Sequence, residues 1–164
     1  MEKGDYYFGY SHLPSHTLIL PKSTFTITIL RDPSKRIISQ YKELCYYKNK
    51  GIDNPFMNYI GNSFRDFFMN VPPHELMQQL YMFSPVMDVN EAFDKIISCN
   101  HYFFTDKYKT GHEQLCKKLN INLPYVHERK APFNSEILES EIDELKEKLY
   151  LEYVLFDRLI ELSK

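Results

Sequence analysis

A run of strand-forming residues from Thr24 to Leu30 ends on Arg31, and Asp32 and Pro33 follow at once. Phe25, Ile27, Ile29 and Leu30 alternate with threonines, so 24–30 is the clearest strand in the chain. Asp32 suits a helix N-cap and Pro33 the first helical position. A helix is therefore predicted over about 33–48, with Ile37, Ile38, Tyr41, Leu44 and Cys45 at core spacing. Gly51 and the step Asn54, Pro55 end it. A strand that passes directly into an amphipathic helix is the joint of an α/β fold, and the remaining elements must pack around it.

At 164 residues, 43% hydrophobic and 15% aromatic with only 5 glycines, the chain reads as one globular domain over 1–164. A net charge of −2 gives no general attraction to nucleic acid or anionic membrane, so any anion site is a local patch. No continuous basic stripe marks a nucleic-acid partner. Cys45, Cys99 and Cys116 are odd in number and far apart, which fits a reducing, cytoplasmic location better than a disulfide framework. No run approaches the ~18 apolar residues that span a bilayer, and the first residues lack a signal-peptide core. A soluble chain is expected, from which a longer parent protein could still carry a membrane anchor or reach the Golgi.

Residues 1–23 read as a loop around a possible short strand at 17–20. An aromatic helix over 56–71 carries Phe56, Tyr59, Ile60, Phe64, Phe67 and Phe68, mostly as packing, and Pro72 and Pro73 close it. Helices are expected over 74–83 and from Asn90 to about residue 97, then a second strand over 101–105 and a helix over 110–119. After a proline-bounded loop, one long amphipathic helix covers 135–162, with Leu138, Ile142, Leu145, Leu149, Tyr153, Phe156 and Ile160 at three–four spacing. The fold class is α/β, with few parallel strands and helices in excess.

The strand–helix joint has the chemistry of an anion site. Arg31 stands where ligands gather in open α/β sheets, at the carboxyl end of a strand. Free N–H groups at the start of the next helix favour an anion. Ser39 adds a hydroxyl, and Arg36 shares its helical face. The competing reading is an arginine capping a strand beside a solvated basic face. His12 and His16 are candidate proton-transfer groups, because imidazole titrates near neutral pH. Pro14 spoils their helical spacing and no cysteine pair or carboxylate completes a tetrahedral site, so no metal is expected.

The string Leu30, Arg31, Asp32, Pro33, Arg36, Ser39, Tyr41 resembles the 3′-phosphate-binding motif of sulfotransferases that use 3′-phosphoadenosine 5′-phosphosulfate (PAPS). The resemblance implies that Arg31 and Ser39 hold the donor's 3′-phosphate, while Asp32, Pro33 and Tyr41 shape the turn and helix. Ser11, His12, Leu13, Pro14 looks like the Gly-His-x-Pro loop of carbohydrate-acting members, with serine in place of glycine. That makes His12 the general base, with His16 in reserve, and a carbohydrate hydroxyl the acceptor. In the family a late loop closes over the nucleotide, which points to Arg129 and Lys130 as phosphate contacts. Residues 101–119 and the terminal helix are similar to the family's later elements. The implied fold is an incomplete three-layer, P-loop-type domain, the C-terminal portion without the N-terminal 5′-phosphosulfate loop. A non-catalytic remnant that binds a nucleotide or polyanion is the alternative. Neither needs a metal.

Overall fold

A computed structural model describes residues 9–125 and 137–164. The described residues are α/β and 61% helical, around a small parallel sheet of two strands. β1 (Ile27–Leu30) pairs with β2 (His101–Phe104) in the register Ile27 to His101 through Leu30 to Phe104. Between them run α1 (Pro33–Lys50), α2 (Phe64–Asn70), α3 (Pro73–Leu76), α4 (Gln78–Tyr81) and α5 (Val89–Ile97). After β2 come α6 (Tyr108–Leu119), α7 (Glu139–Lys148) and α8 (Tyr150–Leu162). Among the described residues no helix is long and apolar enough to cross a membrane.

α1 forms as its ends dictate. The Asp32 carboxylate accepts the Lys35 N–H at 2.8 Å, Pro33 opens the first turn, and Gly51 closes the helix in the left-handed conformation at φ 66°. Ile37, Tyr41 and Leu44 form its buried stripe. Three rings meet there, with Tyr41 5.2 Å from Phe64 and 5.4 Å from Phe67 between centroids. The core continues through Phe68, Leu80, Ile96, Leu145, Leu149, Leu155 and Leu159, all at most 2% exposed.

Several elements are shorter or more broken than the periodicity predicts. The segment expected as a strand at 17–20 begins in the helical turn Ser15–Thr17, and the first strand occupies only the last four residues of 24–30. The aromatic helix starts as the turn Pro55–Tyr59, breaks at Gly61 with φ 59°, and resumes at Phe64 under a Ser63 cap. Pro73 starts one helical turn and a second begins after Met77, whose ψ of 46° breaks the run expected over 74–83. Asp88, rather than Asn90, caps α5 by accepting the Glu91 N–H at 2.8 Å. The long terminal helix is interrupted at Leu149, with φ −89° and ψ 11°, although the Leu149 N–H to Leu145 and Tyr153 N–H to Leu149 bonds are kept on either side. α7 packs on α1 and α2, while α8 packs on α5, α4 and α1.

α6 lies tightly against β2. A methyl group at Gly111 would sit 2.3 Å from the Phe103 ring, and the Gly111 carbonyl lies 3.1 Å from the buried His101 Nε2. Among the described residues no strand pairs with β1 on its far side. Its Thr26 carbonyl accepts the His101 N–H, so even-numbered residues face β2 and Ile27, Ile29 and Arg31 turn their backbone groups outward.

Candidate functional site

At the carboxyl end of β1 the outward backbone groups of Arg31 meet one side chain. The Arg31 N–H donates to Gln79 Oε1 at 2.7 Å, and Gln79 Nε2 donates back to the Arg31 carbonyl at 2.9 Å. The amide of Gln79, on α4, thus takes the place of a neighbouring strand. The Arg31 side chain is half-buried, and among the described residues its guanidinium has no hydrogen bond or ion pair.

Arg36 points the other way. Its guanidinium donates to the Leu76 carbonyl and to Glu152 Oε2 at 3.1 Å. Arg36 is 14% exposed and Glu152, on α8, is 1% exposed. The second oxygen of Glu152 accepts the Gln79 N–H at 2.7 Å. The partner of Arg36 is therefore a carboxylate of the chain itself, and its buried Nε has no acceptor among the described residues.

The start of α1 offers less than its dipole suggests. Pro33 has no N–H, the Lys35 and Arg36 amides donate to Asp32, and the Ser34 amide lies 3.4 Å from the Tyr153 hydroxyl. The free amides expected from the sequence are occupied by the N-cap and by α8. The Ser34 hydroxyl donates to Asp32 Oδ1 at 2.9 Å, so at 2.7 Å Tyr153 donates its own proton to Ser34. Burial pushes the Tyr153 phenol up, and with Asp32 beside it the group stays neutral.

What the joint leaves to a ligand is the Arg31 guanidinium, the Lys35 ammonium and the Ser39 hydroxyl. Ser39 is half-buried on α1, and among the described residues its hydroxyl has no bonding partner. It sits about 9 Å along the axis from Pro33. Lys35 pairs with Asp106 at 2.7 Å across the gap between the two strand ends, with both side chains more than half exposed. The Asp106 hydrogen bond raises the Lys35 pKa, while Arg31 pushes it down, so the two cations feel one another.

His12 is exposed and shares a hydrogen bond with Tyr10. His16 is also exposed and meets the Tyr81 ring edge-on at 5.7 Å. Its loop is fastened by the Ser15 N–H and hydroxyl, which both donate to the Met82 carbonyl at 2.8 Å. The α4 segment thus supports the Arg31 backbone on one side and the histidine loop at its end. Arg129 and Lys130 lie outside the described residues. An open cavity of about 310 Å³ lies at the other end of α1, lined by Lys48, Gly51, Ile52, Asp53 and Met57. It holds none of the candidate residues.

Sequence reading assigns no site role to Gln79 or Glu152. A glutamine in a polar pair gives no periodic signal, whereas Glu152 does. It falls on the buried stripe Leu145, Leu149, Glu152, Phe156, Leu159, where a carboxylate needs a basic partner. Comparison of the chain with protein-family models, curated proteins and solved structures found no match.

Proposed function

We propose that the β1–α1 joint binds the 3′-phosphate of an adenosine nucleotide and that the chain is a PAPS-dependent sulfotransferase domain acting on a carbohydrate hydroxyl. One observation carries the reading: Arg31 has its backbone held twice by Gln79, while among the described residues its guanidinium has no partner. A guanidinium in that state offers two parallel donors to a phosphate. Ser39 supplies a neutral donor further along α1, and Lys35 adds charge once the phosphate competes with Asp106. Arg36 serves the reading from behind, through Glu152, rather than by touching the ligand.

Sulfuryl transfer needs a base for the acceptor hydroxyl and cations for the departing phosphate oxygen. His12 takes the first role, on an exposed ring in a loop that Ser15 fastens to the body. Arg129 and Lys130 are assigned to the donor's phosphates. A P-loop-type, three-layer arrangement belongs to the same proposal. The second reading is a nucleotide-binding module without catalysis, favoured by the hydrogen bond that ties His12 to Tyr10.

Calorimetric titration with adenosine 3′,5′-bisphosphate tests the site. Arg31→Ala should weaken binding by roughly 2–4 kcal/mol, the loss expected for a charge-assisted two-point contact. An unchanged dissociation constant rules the site out. Binding without transfer of labelled sulfate from PAPS to any sugar selects the second reading.

A further inference from the structure

We infer that Gln79 is the positioning residue of the phosphate grip and that Glu152 anchors it, a role that rests on the reading above. Among the described residues the edge of β1 away from β2 has no strand neighbour. Arg31 is the last residue whose backbone faces that edge, and a strand end without a neighbour leaves the next residue's direction undetermined. A primary amide presents a donor and an acceptor in one plane, so it can bond both backbone groups of a single residue as a paired strand would. Gln79 does so at 2.7 and 2.9 Å.

Gln79 is itself fixed. It sits just after the break at Met77, where a one-turn helix has little rigidity of its own. The Glu152 carboxylate supplies the rigidity from α8. One oxygen holds the Gln79 N–H, and the other holds Arg36, which also grips the Leu76 carbonyl on the far side of the break. The chain of contacts therefore runs from the buried face of α8 through the α3–α4 break to the backbone of Arg31. Gln79 never meets the phosphate. It sets the direction in which the Arg31 side chain leaves the strand.

Gln79→Met keeps the length of the side chain and removes both bonds. Nuclear magnetic resonance titration with adenosine 3′,5′-bisphosphate, which reads weak binding, is run on Gln79→Met, Arg31→Ala and the double variant, with unfolding midpoints alongside. Gln79→Met should raise the dissociation constant about tenfold when Arg31 is present and less than about twofold in the Arg31→Ala background. Exchange of the Arg31 amide proton should quicken about tenfold in Gln79→Met without ligand, because its acceptor is gone. Equal losses in both backgrounds, or an unaltered exchange rate, overturn the role. Affinity that depends on Arg31 and not on Gln79 overturns this role alone. Wild-type protein without affinity for the bisphosphate overturns the donor-site reading and this role with it.

Discussion

Arg31 and Arg36 stand five residues apart on one strand–helix joint, and the fold treats them in opposite ways. Arg36 enters the protein, where Glu152 and the Leu76 carbonyl hold it. Arg31 keeps a guanidinium that has no partner among the described residues, while Gln79 holds both of its backbone groups. The inward face of α1 also carries Tyr41, packed against Phe64 and Phe67; the outward side carries Lys35 and Ser39. The difference shows how identical chemistry divides into stability and binding. A buried guanidinium with a buried carboxylate is worth most when intact, since removing one member strands the other charge. A half-exposed guanidinium with no partner contributes little to the fold and is available for a ligand.

Arg36→Ala should destabilise the chain by about 3 kcal/mol or more, because Glu152 remains buried without its cation. Arg31→Ala should stay within about 0.5 kcal/mol of wild type. Urea unfolding of both variants checks the pair, and equal losses would erase the distinction between the two faces.

Alkaline titration sharpens the inward side. Burial, the largest cause, pushes the Tyr41 phenol from its ordinary 10.0 up to about 12. The neutral phenol's stabilisation is fully present below pH 10 and is lost as pH rises toward 12. Unfolding midpoints should therefore hold up to about pH 10 and fall above it, and Tyr41→Phe should flatten that fall. A midpoint independent of pH between 9 and 11.5 would contradict the buried setting of this ring.

The seam between the two faces gives the smallest effect. Tyr153→Phe removes the hydrogen bond to Ser34 at 2.7 Å and should cost about 1 kcal/mol in denaturant unfolding, with bisphosphate affinity unchanged. A larger change in affinity than in stability would move Tyr153 into the site.

Much of the joint is legible in sequence because its signals are local. Alternating Ile and Thr residues make β1, Asp32 and Pro33 start α1, and Gly51 ends it within two residues of the expected stop. Phe64, Phe67 and Phe68 belong to the core, as their spacing suggests. The same local signals mislead where neighbours decide. The terminal apolar stripe shows no proline or glycine at Leu149, so its period continues through the interruption there.

The site is legible only in part, for a related reason. Arg31 can be placed at a strand end from its position, but nothing in residues 24–41 tells which arginine stays unpartnered. That depends on Glu152, 116 positions beyond Arg36, and on Gln79, 48 beyond Arg31. The amides at the start of α1 look available in sequence and are occupied in the fold by Asp32, with the Tyr153 hydroxyl beside the Ser34 amide.

By itself the amino-acid order determined where the principal strand and helix begin and end, and which stripe of α1 is apolar. Steric propensity, capping and hydrophobic period act within a few residues, so they survive without any knowledge of the rest of the chain. Tertiary structure alone decided that Arg36 turns inward, that Gln79 takes up the outward backbone groups of Arg31 and that the terminal helix is interrupted at Leu149. Each of these is settled by a charge, a backbone group or a packing surface that meets its partner only after distant segments have come together.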